Sequence, residues 1–440
     1  MNRLEHISRA VVAAGLEIPF VELGGVVREV APTHFRVRGL SRVVKLGDRV
    51  RLDAGGRFSV GEIVRIDEAE ATVKPFDSRF SVGIGMVARL IGAMHLSPSP
   101  QWKGRVVNAL GEPLDELGPL PHGERPVPID VAPPPAMARQ RISQPLKTGI
   151  RVIDMFTPFC RGQRVGIFAG SGVGKSTVLA MLARSNAFDT VVVALVGERG
   201  REVREFLEGP LAENRDRSVT VVSTGDESPM MRRLALLSAM SIAEYFRDRG
   251  ESVLLIADSV TRYAHAARDV ALAAGEPAVA RGYTPSVFSD LPKILERAGP
   301  GRSGSGSITG VFAVLVDGDD HNDPIADAIR GTLDGHIVLD RAIADQGRYP
   351  AVNVLGSISR LADLVWTADQ RTLVRSLKTM IARYEDTRDL RMMGGYHAGN
   401  DAELDRAVAV VPRIYAALRQ DPSEKPSVDV FADLAQVLRP

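Results

Sequence analysis

The order of patterns along these 440 residues predicts an α/β protein: a mainly parallel central sheet, preceded by a small β-rich unit and followed by a helical one. Three observations carry that reading. Between residues 149 and 361, short and almost wholly apolar runs alternate with helical periodicity, as expected of strands covered on both faces. Between residues 21 and 75 the runs are short, β-rich and separated by turn signals, and past Leu361 helical periodicity resumes with no β-rich run. Composition agrees: 45% hydrophobic and 25% charged residues exclude a disordered chain. With 55 Lys and Arg against 54 Asp and Glu, a net charge of +1 excludes a global basic field for nucleic acid.

Taken in chain order, residues 1–20 place Leu4, Ile7, Val11 and Val12 on one stripe of a short helix, which needs a partner surface. The apolar stretch 10–16 runs into Glu17 without a cleavage pattern, so no secretory signal is expected. The runs 26–30, 34–37, 49–52 and 59–66, with the turn signal after Asp53, read as a small β-barrel or sandwich, domain 21–96. Five prolines (Pro126, Pro128, Pro133, Pro134 and Pro135) then impose an extended strap. Strands are expected at 164–168, 190–196, 219–223, 252–257 and 308–316. Helices are expected from Lys175, at 201–208, and from Ser228-Pro229 to before Gly250, all within a domain 97–366. Helical segments 372–385, 402–419 and 428–438 form the unit 367–440. The longest apolar runs, 191–196 and 311–316, fall far short of the roughly 18 residues that span a bilayer. The single cysteine, Cys160, can make no internal disulfide; it suits a reducing compartment and reads as a small buried hydrophobe.

Chemistry concentrates at strand ends. The run 164–168 leads into Ala169, Gly170, Ser171, Gly172, Val173, Gly174, Lys175, Ser176 and Thr177, a glycine-rich loop opening a helix. Its backbone amides can converge on phosphate oxygens, Lys175 can neutralise β- and γ-phosphates, and the Ser176 hydroxyl can reach Mg²⁺. The strict pattern has glycine where Ala169 stands. The apolar strand 253–257 ends in Asp258, 83 residues after Lys175, either a carboxylate holding Mg²⁺ through its water shell or a helix cap before Ser259. Gly197-Glu198-Arg199, followed by Arg201 and Glu202, is either a solvated charged turn or a base with a phosphate-binding arginine. The eight histidines show no metal-ligand spacing.

Gly149-Ile-Arg-Val-Ile-Asp154, the phosphate loop, Gly197-Glu-Arg199, Ile256-Ala-Asp258, Tyr349-Pro-Ala-Val-Asn353 and Ser357-Ile-Ser-Arg360 together resemble the catalytic subunits of the rotary ATPase superfamily. The loop, together with Gly394-Gly-Tyr-His-Ala-Gly399, is most similar to the flagellar protein export ATPases, with the type III secretion ATPases as near relatives. The resemblance implies a RecA-like P-loop core between an N-terminal β-barrel and a C-terminal helical domain. It implies a homohexameric ring hydrolysing Mg-ATP to energise export. It makes Glu198 the catalytic carboxylate, Arg199 a γ-phosphate contact, Glu202 and Asp258 partners of the Mg²⁺ waters, Tyr349 an adenine-stacking surface and Arg360 an arginine finger for the neighbouring subunit. Without it, Tyr349 would be a core aromatic and Arg360 a strand-end ion pair.

The same resemblance implies a stator-like regulatory protein at the N-terminus, export-gate and chaperone–cargo partners, and a cytoplasmic chain bound peripherally to the inner membrane through partners. It also sets the segment 289–307, a short helix and glycine-rich loop otherwise read as surface, against a central stalk protein in the ring's pore. ATP synthase relatives close the adenine pocket with a second aromatic, and the corresponding stretch here, 419–426, contains none. An injectisome ATPase, an ATP synthase subunit and a ring-shaped RNA translocase are the alternatives. The last would need an aromatic, basic platform in the first domain, where residues 21–75 offer only Phe35 and Phe58; no nucleic-acid partner is expected.

Overall fold

A computed structural model describes residues 22–54, 56–209, 211–316 and 323–438. The partner-binding stripe expected within 1–20 lies outside the described residues. The chain divides into two compact units, one holding the residues up to Met94 together with Val270–Glu276, the other holding His95–Asp269 and Pro277–Pro440.

In the first unit, six antiparallel strands close a barrel: β1 (Gly24–Val30), β2 (Phe35–Arg38), β3 (Arg49–Ala54), β4 (Arg57–Ile66), β5 (Glu70–Pro75) and β6 (Val87–Gly92), in the order β1-β2-β5-β4-β3-β6. Closure leaves no edge strand to be capped. Alternate residues fill the interior, with Val27, Phe35, Val37, Val50, Leu52, Ile63, Val73 and Ala88 fully buried. Of the two open readings, the barrel is the one observed. Strands β5 and β6 carry too few apolar residues in alternation to announce themselves, and β5 includes a buried Lys74.

The second unit is built on a nine-stranded sheet. Its main path runs Ile358–Ser359, Gly335–Leu339, Arg164–Ala169, Ser307–Leu315, Ser252–Asp258, Thr190–Glu198, Ser218–Thr224 and Val106–Asn108. Pairing along this path is parallel except at the Ile358–Ser359 edge. Every residue of Thr190–Glu198 and Ser252–Asp258 is buried, which explains their unbroken apolar patterning. The long helix Pro229–Asp248 starts as its sequence dictates. Ser228 accepts a hydrogen bond from the Met231 amide at 3.2 Å, and Pro229 occupies a position whose amide would have no helical partner.

Helices Ala368–Asp386, Ala402–Leu418 and Val430–Leu438 follow. A reciprocal Thr367–Gln370 box caps the first and Asp401 caps the second. Their apolar stripes (Val374, Leu377, Ile381; Ala407, Val411, Ile414) share one continuous core with Val152, Ile153, Ile167 and Val352. That shared core fixes the helical segment against the sheet edge where the chemistry lies. Among the described residues no helix is long and apolar enough to cross a membrane. Cys160 is buried, and burial pushes its thiol up to about 11.

Candidate active site at the carboxyl edge of the sheet

The strand Arg164–Ala169 delivers the chain into the glycine-rich loop, and the helix Lys175–Ala183 begins at Lys175 itself. Gly172 and Gly174 have φ of +79° and +93°, the left-handed region that side-chained residues avoid, so these two glycines let the loop curl back over the helix N-terminus. Two neighbouring strands end at the same edge. Leu195 lies in register with Asp258, and a register shift between Val196 and Glu198 re-aims the Glu198 side chain at the end of its strand.

Three charged groups meet there. Lys175 Nζ pairs with Asp258 Oδ1 and lies 3.6 Å from Glu198 Oε1; all three side chains are almost completely buried. Arg262, on the first turn of the helix after Asp258, reaches Glu198 Oε2 at 3.4 Å. Burial and the adjoining Glu202 carboxyl push the Glu198 carboxyl up to about 7, against the pull of Lys175. Glu202, accepting a hydrogen bond from that group, is held below the usual range. The two carboxyls thus push each other apart, Glu198 upward and Glu202 downward. Ser176, Thr177, Glu198, Glu202, Asp258, Arg184 and Pro422 line a cleft of about 310 Å³.

Tyr349 stands beside the loop: a Cβ added to Gly174 would lie 3.6 Å from its ring. Tyr349 is 41% exposed, rather than buried as a core aromatic would be. Its main-chain carbonyl accepts from the Gln420 amide at 3.0 Å. The buried Gln420 side chain in turn donates to Gly149 O and accepts from the Arg151 amide, each at 2.9 Å. Arg184 Nη1 donates to Pro422 O at 2.8 Å. The aromatic-free stretch is thus strapped to the nucleotide-loop side by polar contacts. Tyr349 also borders a second cavity, of about 320 Å³, with Arg348, Tyr415 and Arg419.

Two expected residues are not gathered into the cleft. Arg199 is 84% exposed and pairs with Glu202 at 3.7 Å. Arg360 is exposed, and its amide bonds Asp334 O at 2.9 Å, level with the start of the strand Arg164–Ala169. That strand rises about 3.3 Å per residue, which sets Arg360 roughly 17 Å from the loop that follows the strand's other end.

Two further arginines belong to the site although the motifs did not single them out. Arg262 follows Asp258 by four residues and so enters from the same edge. Arg341, just after the strand Gly335–Leu339, donates from Nη2 to Ser171 O at 3.0 Å and braces the loop. Each lies just beyond the carboxyl end of a sheet strand, Gly335–Leu339 beside the loop strand for Arg341 and Ser252–Asp258 two places away for Arg262.

Comparison with known proteins fits this geometry. Residues 149–359 match the nucleotide-binding domain of the ATP synthase alpha/beta family, and residues 366–436 match the C-terminal domain of the T3SS EscN ATPase. The flagellum-specific ATP synthase of Rhizobium meliloti (strain 1021) is 56% identical over 416 residues, covering 94% of this chain and 89% of the relative. That of Caulobacter vibrioides is 47% identical over 441 residues, covering 98% and 99%. Among solved structures, the assembled ATPase EscN from the enteropathogenic E. coli type III secretion system superposes with a TM-score of 0.88 at 38% identity. The same ATPase in complex with its central stalk EscO superposes at 0.86 and 37%; each covers 94% of this chain and 100% of that chain.

Proposed function

The chain belongs to the flagellum-specific and type III secretion ATPases of the ATP synthase alpha/beta family, and we propose that it is the ring-forming Mg-ATP hydrolase that energises flagellar protein export. The observation that carries the reading is the convergence of Glu198, Asp258 and Lys175 at adjacent strand ends beneath the phosphate loop. The flagellar assignment rests on the 56% identical relative; a homohexamer with a central stalk protein in its pore rests on the assembled EscN structures. The helix Pro285–Leu295 and the loop after it would face that stalk. A stator-like protein, the export gate and chaperone–cargo complexes would be the remaining partners, holding a cytoplasmic ring at the inner membrane.

The roles follow from the groups present. The loop amides and Lys175 bind the triphosphate; to reach it, the Lys175 ammonium exchanges its carboxylate partners for phosphate oxygens. Magnesium fits the donor set, which is all oxygen: the Ser176 hydroxyl with the Asp258 and Glu202 carboxylates, acting largely through water. When bound, the ion neutralises charge on the β- and γ-phosphates. Glu198, nearly excluded from solvent and with Oε1 lacking a hydrogen-bond partner, orients and deprotonates the attacking water. Arg199 contacts the γ-phosphate after turning inward from its exposed position, Tyr349 stacks on the adenine, and Arg360 completes the site of the next subunit.

Glu198→Gln keeps the shape of the side chain and removes the base. The purified variant should bind ATP with Mg²⁺ as the parent does and lose at least about a hundredfold in turnover, the low end for general-base catalysis. Binding that fell in parallel with rate would make Glu198 a structural residue.

A further inference from the structure

We infer that Glu296, Arg164 and Asp334 link the helix Pro285–Leu295 to Arg360 and set the position of that arginine, an inference that rests on reading Arg360 as a finger for the neighbouring site. They are positioning residues: Arg164 starts the strand that leads to the phosphate loop, so it stands roughly 17 Å from any nucleotide its own chain holds.

Glu296 directly follows the helix, and its amide bonds Pro292 O at 2.9 Å, so its carboxylate moves with the helix end. That carboxylate accepts from Arg139 Nη1 at 2.9 Å and pairs through Oε1 with Arg164 Nη1. The Arg164 guanidinium then grips Asp334 with two parallel bonds, Nε to Oδ2 and Nη2 to Oδ1, both 3.0 Å, while its amide donates to Oδ2 at 3.0 Å. The main chain of Asp334 closes the connection: its amide donates to Arg164 O and its carbonyl accepts from the Arg360 amide, both at 2.9 Å. A second tie steadies the preceding residue, where Gln163 Nε2 donates to Ser359 Oγ at 3.1 Å and that hydroxyl donates to Pro158 O at 2.8 Å.

The chemistry favours transmission over slack. The bidentate pair fixes the separation and plane of Arg164 against Asp334, which holds its Nη1 against the Glu296 carboxylate as a close ion pair, so a shift of Glu296 bears on the fork. Arg164 and Asp334 are 14% and 20% exposed, which limits the solvent screening that would uncouple them. A displacement of the helix Pro285–Leu295 therefore reaches the backbone that carries Arg360 through one side chain. This gives the pore-facing segment a physical route to the half of the active site that the next subunit uses.

The test is made at Glu296, the most exposed member, by measuring turnover of the purified full-length chain under assembling conditions and, separately, binding of a fluorescent ATP analogue. Glu296→Gln should leave analogue binding and KM unchanged and lower kcat by about fivefold to thirtyfold, the scale of coupling through such networks. The same substitution in an Arg360→Lys background, where reduced turnover remains measurable, should have little further effect. Should Glu296→Gln fold poorly by its melting curve, Glu296→Asp keeps the charge on a shorter arm and should show a smaller loss that likewise vanishes beside Arg360→Lys. An unchanged kcat, or a loss that repeats in full in the Arg360→Lys background, overturns the linkage. Full turnover by Arg360→Lys and Arg360→Ala alone would instead overturn the finger reading beneath it.

Discussion

The two ends of the strand Arg164–Ala169 carry opposite arrangements of charge. At its carboxyl end, Lys175, Glu198, Asp258 and Arg262 pair within the chain, a cleft opens beside Ser176 and Thr177, and a second cavity opens at Tyr349. At its amino end, Arg164 is locked between carboxylates, while Arg360, a few ångströms further on, is exposed and has no side-chain partner among the described residues. An arginine held firmly by its main chain with a free guanidinium is built to be offered outward. The contrast supports the proposal that this chain holds the phosphate-binding half of one site and offers the arginine of another.

The comparison breaks most severely at Lys175. Lys175→Ala should reduce hydrolysis to background, because no other side chain of the loop brings a positive charge between the β- and γ-phosphates. Retained turnover in a phosphate-release assay would remove the loop from the site. At the other end, Arg360→Ala should bind ATP nearly normally, assemble, and lose about 10³ to 10⁵ in rate. A matching loss of nucleotide affinity would make Arg360 part of its own chain's fold instead.

Smaller effects sharpen the same contrast. Base–aromatic stacking is worth about 1–3 kcal/mol, so Tyr349→Ala should raise KM for ATP about tenfold with kcat little changed. An unaltered KM would mean the base lies elsewhere. The smallest effect concerns stability. The Glu198 carboxyl stands at about 7 in the folded chain against an ordinary 4.5, so the folded state holds more protons between those values and stability falls as pH rises through that window. Glu198→Gln removes this loss. Its melting temperature should match the parent near pH 4.5 and exceed it at pH 8, by less than the Glu198 shift alone would give because the depressed Glu202 offsets part of it. A gap that is constant with pH would show that Glu198 is not titrating in this range.

What could be read from sequence followed from how local each feature is. The phosphate loop and Asp258 are legible because their chemistry is written in consecutive residues at the ends of strands buried on both faces, whereas Glu198 stays open between a charged turn and a base until the family resemblance is added. Arg262 and Arg341 were not singled out, since their roles come from which strands lie side by side, here Thr190–Glu198 beside Ser252–Asp258 and Arg164–Ala169 beside Gly335–Leu339. Barrel strand β5 was hidden by charge at a buried position, Lys74, and β6 because apolar Val87 and Ile91 on its outer face break the alternation. Nor could the stretch 419–426 reveal that it docks by Gln420 and main-chain carbonyls in place of an aromatic ring, because glutamine carries no such signature. The grip of Arg164 on Asp334 joins residues 170 positions apart and appears only when the sheet is assembled.

The division of the site between chains is tested most directly by mixing two inactive proteins. Lys175→Ala supplies an intact Arg360, and Arg360→Ala supplies an intact phosphate loop. Where the two meet in the right order, one whole site is rebuilt. Under conditions in which labelled subunits are seen to exchange, the mixture should hydrolyse ATP at a rate well above either variant alone, though below the parent, because each ring also carries defective interfaces. With exchange demonstrated, no recovery at any mixing ratio would contradict a shared site.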